Sequence, residues 1–334
     1  MNEKEIYNNI EITLKRKKEI AVISVIETWG SSPRPVGSTM VVSEEHKVFG
    51  SVSGGCIESF VYSKALEVIK NNKVMTLEFG VTNKQAWEVG LTCGGKIKVF
   101  IEKLSQKNLK YVERINNSFV QNNSLTVATN ILDGTREILN DNHLIKNKNI
   151  KSIIDKNINI KNSELKLENG QYWFFKIFKS QIKLIIIGSV HIAEPLIKFA
   201  NILGYKIVLI DPRNNIKNVS VNSDVKVIKD WPDEALKKIS IDDNSAVVTL
   251  THDTKLDDPA LEYTLRSKAF YIGCLGSKKT HASRIERLSK KGIKKELLSK
   301  LHGPIGLSIG AETPAEIASS IISQIIEIKN SIHA

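Results

Sequence analysis

Residues 183–193 read Lys183-Leu184-Ile185-Ile186-Ile187-Gly188-Ser189-Val190-His191-Ile192-Ala193. The apolar run predicts a buried strand, the glycine predicts a tight turn, and the apolar spacing that follows predicts a helix that ends near Gly204. A second strand pattern, Lys206–Ile210, leads directly into Asp211, 23 positions after Gly188. This order predicts a strand–helix–strand unit of Rossmann type, with Gly188 and His191 in the ligand-binding turn and Asp211 at the ribose-binding position.

The turn of this unit departs from the dinucleotide fingerprint at Val190. The fingerprint has its second glycine there, because a pyrophosphate must approach the backbone closely. The strand–helix–strand scaffold does not depend on that glycine. The sequence therefore predicts the scaffold and disfavours NAD(P) as its cofactor.

Downstream of Asp211, strand patterns at 225–228, 246–250 and 269–274 alternate with helix patterns, which predicts a doubly wound parallel sheet. Polar residues follow two of these strands. Because ligands bind at the carboxyl ends of such strands, His252, Asp253, Ser277 and Lys278 are site candidates. For His252 and Asp253 a helix-capping loop is an equally good interpretation, and Cys274 is predicted to be a core residue.

In the N-terminal part, a glycine-rich turn delivers one cysteine to the start of a predicted helix; it reads Gly50-Ser51-Val52-Ser53-Gly54-Gly55-Cys56-Ile57-Glu58. A helix N-terminus favours a thiolate at Cys56, and the backbone amides of Ser53, Gly54 and Gly55 are expected to hold an anion. The alternative is a tight turn that precedes a small buried cysteine.

Two other features of the N-terminal part point to the same ligand. Cys93-Gly94-Gly95 nearly mirrors the first cysteine loop, and the two loops are expected to converge on one site. Arg34 lies between two prolines, which hold the loop extended and present its guanidinium to a carboxylate or a phosphate. A solvated surface arginine is the alternative.

The composition sets the broad class. The chain has 334 residues, which suits two domains, and its net charge of +12 suits an acidic or phosphorylated partner. The basic residues are scattered without interleaved aromatic residues, so nucleic-acid binding is not expected. Three cysteines without CxxC spacing indicate a reducing compartment, and no apolar run is long enough to span a membrane, so a cytoplasmic protein is expected.

Several segments together, in chain order, resemble the XdhC/CoxI family of xanthine dehydrogenase accessory proteins. The N-terminal segments are Gly30-Ser31-Ser32-Pro33-Arg34, residues 50–58 and Cys93-Gly94-Gly95. The C-terminal segments are Thr251-His252-Asp253, residues 256–261, residues 275–281 and residues 304–314. The resemblance implies an α/β protein: an N-terminal α+β domain of XdhC type over 1–104, a connecting segment over 105–181 and a Rossmann-like doubly wound parallel sheet over 182–330.

The resemblance also implies a function. Such proteins bind the molybdenum cofactor (molybdopterin) as cargo, support its sulfuration by a cysteine desulfurase and deliver it to an apo xanthine dehydrogenase-type molybdoenzyme. Cys56, and with it Cys93, would contact or guard the molybdenum. A non-catalytic accessory protein is favoured over an enzyme, and a homodimer is expected from the resemblance alone. An NAD(P)-dependent oxidoreductase is the alternative, supported by the fold and Asp211.

Overall fold

The computed structural model describes residues 1–30, 32, 34–55, 57–80, 95–139, 145–156, 160, 162–213 and 225–333. The chain divides into two compact units, Met1–Ser180 and Gln181–Ala334. Helices and strands are numbered below in chain order over the described residues.

The N-terminal unit begins with an antiparallel sheet whose strand order is β3-β2-β1-β5-β4. Helix α2 packs on one face of this sheet, where Val61, Ala65 and Val68 meet alternate residues of β1. Helices α1 and α3 cover a core on the other face. The elements are α1 Glu3–Lys15, β1 Ile20–Trp29, β2 Thr39–Ser43, β3 Val48–Gly50, α2 Glu58–Asn71, β4 Met75–Phe79, β5 Lys96–Leu104, a 3₁₀ turn Gln106–Asn108 and α3 Leu109–Gln121.

A second antiparallel sheet, with the order β7-β6-β9-β8, completes the N-terminal unit. Apolar and β-branched runs predict strands over Leu125–Leu132, Glu164–Leu167 and Tyr172–Lys179, which correspond to β6, β8 and β9. The sequence predicts neither β7 nor α4, which lie near an Asn- and Lys-rich segment that has no clear apolar periodicity. The elements are β6 Leu125–Asn130, β7 Arg136–Leu139, α4 Lys148–Asp155, β8 Glu164–Glu168 and β9 Gln171–Phe178.

The C-terminal unit is built on a sheet of six described strands, all parallel, in the order β12-β11-β10-β13-β14-β15. This confirms the predicted Rossmann-like doubly wound sheet, and the strand order reverses between β10 and β13. The elements are β10 Lys183–Ile187, α5 Ala193–Ile202, β11 Lys206–Ile210, β12 Val225–Ile228, α6 Pro232–Lys237, β13 Ser245–Thr249, α7 Thr254–Thr264, β14 Tyr271–Cys274, α8 Lys278–Lys290, α9 Lys295–Leu298, β15 Leu301–His302 and α10 Pro314–His333.

Burial on both faces explains why β10 is a continuous apolar run. Leu184 and Ile186 belong to the core under α5 and α10, whereas Ile185 and Ile187 belong to the core under α6 and α7. A strand that is covered on both faces must be apolar at every position. In the part of the chain that the structure describes, no helix is long and apolar enough to cross a membrane.

Candidate functional site

The glycine loop before α2 is closed around a carboxylate of its own chain. Glu58, the first residue of α2, accepts hydrogen bonds from the backbone N–H groups of Ser53 at 2.9 Å, Gly54 at 2.9 Å and Gly55 at 2.8 Å. The hydroxyl of Ser51 donates to it at 2.8 Å, and the hydroxyl of Ser53 makes a further short bond. The donors expected to hold an anionic ligand therefore hold Glu58 instead.

These hydrogen bonds determine the direction in which the pKa of Glu58 is shifted. Although partial burial works in the opposite direction, hydrogen bonds from the hydroxyls of Ser53 and Ser51 and from loop amides lower the pKa of Glu58 to about 2. Glu58 is therefore ionised near pH 7, and its charged carboxylate occupies the donors of the loop. In this conformation Gly54 and Gly55 shape the turn, with φ angles of +77° and +123°, rather than presenting open donors to a ligand.

The structure does not test the prediction that the two cysteine loops converge on one site. Cys56, Cys93 and Gly94 lie outside the described residues, and Gly95 is buried immediately before β5. Arg34 is exposed, and the hydroxyl of Ser32 donates to its carbonyl at 2.9 Å. A shared site for these residues remains a prediction.

The polar groups at the turn after β10 are likewise hydrogen-bonded to one another. The Ser189 N–H donates to the Asp211 carboxylate at 2.7 Å, and Arg213 binds both carboxylate oxygens of Asp211 at 2.9 and 2.8 Å. Asp211 is 0% exposed, and although burial would raise its pKa, the bonds from Arg213 and Ser189 hold that pKa below its usual value. Gly188, with φ +107°, has no room for a side chain, since a Cβ would lie 2.4 Å from Thr251.

This geometry does not fit a nicotinamide dinucleotide. Asp211 is the predicted ribose-binding group, yet it is buried and paired with Arg213. Val190 is half-buried and occupies the position of the fingerprint's second glycine, and His191 is exposed. The roles of Gly188, His191 and Asp211 as ligand contacts therefore remain sequence predictions, with no accessible ribose partner at Asp211 in this conformation.

A cleft at the carboxyl ends of β13 and β14, here called the strand-end cleft, has a volume of about 280 Å³. The first turns of α7 and α8 line it, together with basic and hydroxyl side chains. Its lining residues are His252, Thr254, Asp257, Lys279, Thr280, Ser283, Arg284 and Arg287. Of the residues that the sequence predicts for this edge, His252 lines the cleft directly.

Asp253 and Ser277 are helix caps on either side of this cleft. The Asp253 carboxylate accepts from the Lys255 N–H at 2.9 Å and caps α7, and the Ser277 hydroxyl accepts from the Thr280 N–H at 3.1 Å and caps α8. The capping interpretation of Asp253 thus describes its contacts in the structure. A ligand role for either residue remains a prediction.

Two charged side chains at the base of the strand-end cleft are almost completely buried. Arg284, 2% exposed, donates to the Cys274 sulfur at 2.9 Å and to the Leu275 carbonyl at 2.9 Å, while its Nε is buried without a hydrogen-bond partner. Asp257, 1% exposed, accepts from the Thr251 hydroxyl at 2.6 Å, while its Oδ2 has no hydrogen-bond partner. Cys274 is a core residue, as predicted, and burial raises the pKa of its thiol to about 11.

Sequence reasoning missed the buried base of the cleft. Asp257 lies within one of the family-like segments, but Arg284 is a single arginine on a polar helix. No local pattern distinguishes it from the solvated arginines of the same chain. The weak signal was periodicity, because Arg284 falls on the same face of α8 as the buried Leu288.

A larger cavity of about 790 Å³ lies in the N-terminal unit beside α3 and β7. Lys110, Arg114, Arg136 and Lys146 line it together with one acid, Glu137, whose carboxylate accepts from the N–H groups of Lys146 and Asn147. No sequence pattern indicated chemistry in this segment. Among the described residues, no cluster of three His, Cys, Asp or Glu side chains is arranged to hold a metal ion.

The chain is similar to known proteins in sequence and in structure. A model of the XdhC and CoxI family matches residues 13–80, and a model of the XdhC Rossmann domain matches residues 184–325. Among curated proteins, a probable xanthine dehydrogenase subunit from Bacillus subtilis is 24% identical over 328 residues, which is 97% of each chain. The molybdenum cofactor insertion chaperone PaoD of Escherichia coli is 23% identical over 316 residues, 93% of this chain and 84% of PaoD.

A solved structure has the same fold over nearly the whole chain. It is described as a xanthine dehydrogenase from Bacillus halodurans and superposes with a TM-score of 0.79 at 25% sequence identity. The match covers 99% of this chain and 96% of the solved one. The two family models occur in their expected order, one in each compact unit, and the chain belongs to the XdhC and CoxI family of xanthine dehydrogenase accessory proteins.

Proposed function

We propose that this protein is a chaperone for the molybdenum cofactor: it binds the cofactor as cargo, supports its sulfuration and delivers it to an apo xanthine dehydrogenase-type molybdoenzyme. The observation that carries the proposal is the similarity to PaoD, named as a molybdenum cofactor insertion chaperone, across 93% of this chain. Similarity of that extent covers both compact units and not a single shared domain.

The roles of individual residues are part of the proposal. Cys56 is proposed to contact the molybdenum end of the cargo, since in sequence it follows the loop that is hydrogen-bonded to Glu58 and stands two positions before the start of α2. Arg34, which is exposed, is proposed to bind an anionic group of the cargo. A cysteine desulfurase and a second copy of this chain are proposed partners, on the grounds of family membership.

The closed glycine loop changes how this site is expected to work. Its amides are occupied by Glu58, so we propose that the loop acts as a rigid support for the neighbouring cysteine and that cargo is recognised by side chains. An internally satisfied loop loses little conformational entropy when a ligand binds, and such pre-organisation favours affinity.

An NAD(P)-dependent oxidoreductase is the second candidate, because the C-terminal sheet has the strand order of dinucleotide-binding folds. The buried, paired Asp211 and the Val190 turn weigh against it. Fold alone does not establish such an activity.

The test is anaerobic equilibrium binding of purified molybdenum cofactor to the wild-type protein, Cys56→Ala, Arg34→Ala and the control Arg266→Ala. Arg266 lies just past α7 and is exposed, so its replacement removes the same charge far from the proposed contacts in sequence. Loss of a charged contact or a metal ligand is expected to weaken binding about tenfold for Cys56→Ala and Arg34→Ala.

Parallel titrations with NAD and NADP separate the two functions. Cofactor binding that Cys56→Ala weakens, with no nicotinamide response, supports the chaperone. Nicotinamide binding without cofactor binding would contradict it. Activation of an apo molybdoenzyme by each variant then measures delivery, and normal activation by Cys56→Ala would remove Cys56 from the mechanism.

A further inference from the structure

We propose that the strand-end cleft of the C-terminal unit binds the phosphate group of a phosphorylated small molecule. The cleft differs from the turn after β10, where a Rossmann unit ordinarily holds a pyrophosphate. In this chain that turn is closed by the Ser189–Asp211–Arg213 contacts. A buried donor without a hydrogen-bond partner, the Nε of Arg284, lies instead one strand further along the sheet, in a residue that lines the cleft at the ends of β13 and β14.

The first argument is the buried arginine. Arg284 is 2% exposed and lines the cleft, and its Nε has no hydrogen-bond partner. Burying an unsatisfied donor on a charged group costs free energy, which a ligand oxygen would recover. Its other contacts, to the Cys274 sulfur and the Leu275 carbonyl, hold the guanidinium in place and leave that donor as the unpaired one.

The second argument is the set of donors that converge on the cleft. Lys279, Thr280 and Ser283 come from the first two turns of α8, and Thr254 is the first residue of α7. Two helix N-termini therefore meet there, and the partial positive charge of each favours an anion. A phosphate has enough acceptor oxygens to use donors from several directions, whereas a carboxylate presents two oxygens in one plane.

The third argument is the charge balance at the cleft. Arg287 is neutralised by Asp258, to which it donates two hydrogen bonds at 2.8 and 3.0 Å. Lys279 and Arg284 then face one acid, Asp257, whose Oδ2 lies 3.8 Å from Arg284. Two cations against one carboxylate leave this part of the lining with a net positive charge, which favours an anion.

The volume of the cleft indicates how large its ligand is. Its volume of about 280 Å³ is far above the roughly 30 Å³ that one water occupies in the liquid. It lies just below the range of roughly 300–1,000 Å³ found for small-molecule sites. A free phosphate ion would leave much of this space unfilled, so the cleft suits a phosphate ester that carries a further organic group.

The backbone at His252 fits this assignment. His252 adopts φ +60°, a left-handed conformation that is uncommon for a residue other than glycine. Such strain is often retained at binding sites, and here it places His252 in the wall of the cleft next to the α7 cap.

The experiment measures binding of glycerol phosphate by ³¹P NMR line broadening, with inorganic phosphate as the competing ion and glycerol as the neutral control. The variant is Lys279→Glu and the matched control is Lys290→Glu, which makes the same charge change on an exposed residue at the other end of α8. Circular dichroism and a thermal melt verify that both variants fold.

We expect Lys279→Glu to weaken ester binding by about tenfold or more, since a charged hydrogen bond is replaced by like-charge repulsion. Lys290→Glu should bind as the wild type does. Equal affinities for the two variants, absence of ester binding by the wild type, or tighter binding of inorganic phosphate than of the ester would each overturn the proposal.

A second variant tests the role of the buried Arg284. Arg284→Gln removes the guanidinium, and its folded fraction is established by the same melt before titration. Loss of ester binding by a folded Arg284→Gln protein is expected, and retained binding would overturn the role of Arg284. Because no probe contains a pterin, these results do not depend on whether the protein carries the molybdenum cofactor.

Discussion

Among the described glycine turns that lead from a strand toward a helix, the loop before α2 and the turn at Gly276 before α8 have different surroundings. The loop at Gly54 and Gly55 directs its amides onto the carboxylate of Glu58, the first residue of the helix that follows. The turn at Gly276, between β14 and α8, instead leads into the helix whose first two turns line the strand-end cleft, where the buried Nε of Arg284 has no hydrogen-bond partner. The first turn thus holds an anion of its own chain, whereas the second lies next to the cleft that is proposed to bind the anionic group of a ligand.

Removal of the buried arginine beside the second turn should have the largest effect on stability. Arg284→Ala is expected to cost about 3 kcal/mol of unfolding free energy, because it leaves the buried Asp257 without its cation. The matched control is Lys290→Ala on the same helix, which breaks an exposed ion pair with Glu286 and should cost about 0.5 kcal/mol or less. Urea denaturation at pH 7 gives both values, and equal midpoints would mean that the cleft does not depend on Arg284.

Removing the internal anion of the glycine loop should have the next largest effect. Glu58→Gln replaces a carboxylate that accepts three backbone and two hydroxyl hydrogen bonds, and we expect a loss of about 2 kcal/mol. Glu67→Gln, on the same helix and at an exposed ion pair with Lys64, should change stability by about 0.5 kcal/mol or less. A loop that tolerates Glu58→Gln as well as Glu67→Gln would not be held by its carboxylate.

Acid titration distinguishes the two regions by the sign of their pH dependence. The pKa of Glu58 is lowered to about 2 in the folded protein, so its contribution is fully present above the unfolded value of roughly 4.3 and is lost as the pH falls toward 2. Unfolding free energy measured between pH 7 and pH 2 should therefore decline less steeply in Glu58→Gln than in the wild type. An identical decline would contradict the assignment.

Asp257 contributes with the opposite sign. Burial raises the pKa of Asp257, so the folded protein retains a proton at pH values where the unfolded chain has lost it. Its contribution to stability decreases as the pH rises from the unfolded value of roughly 3.9 through the raised folded value. The same titration on Asp257→Asn should remove this part of the pH dependence and leave the acid limb of Glu58 unchanged.

The smallest expected effect is the difference of about 1 kcal/mol between alanine substitutions at the glycines of the two turns. A Cβ at Gly55 meets nothing within 4 Å, so Gly55→Ala costs only the strain of φ +123°, about 1 kcal/mol. A Cβ at Gly276, with φ +144°, would lie 3.0 Å from the Thr280 methyl group, so Gly276→Ala should cost about 2 kcal/mol. Thermal melts of both variants measure the difference, and a larger loss for Gly55→Ala would reverse the expected order.

Local pattern predicted most of the C-terminal unit. The apolar runs at β10, β11 and β13 are continuous because helices cover both faces of the sheet, and that signal is visible in one sequence. Regular apolar spacing also predicts the helices at Lys4–Lys18 and Leu109–Asn122 and the strand at Ile20–Glu27, which correspond to α1, α3 and β1. Strand β7 and helix α4 were missed, since short polar elements acquire their stability from neighbours that lie far away in sequence.

The features of the candidate sites can likewise be separated into those that the sequence pattern predicts and those that only the folded structure shows. Residue pattern alone identified the glycine turns, the strand-end polar residues and the family resemblance, because each depends on residues that are close together in the chain. Tertiary structure alone decided that Glu58 fills one turn, that Arg213 and Ser189 satisfy Asp211, and that Arg284 and Asp257 meet beneath His252. Backbone angles decide the short-range partners, such as those of Glu58, and contacts between distant segments decide burial. The sequence therefore supplies the chemical groups, and the fold determines which of them remain available to a ligand.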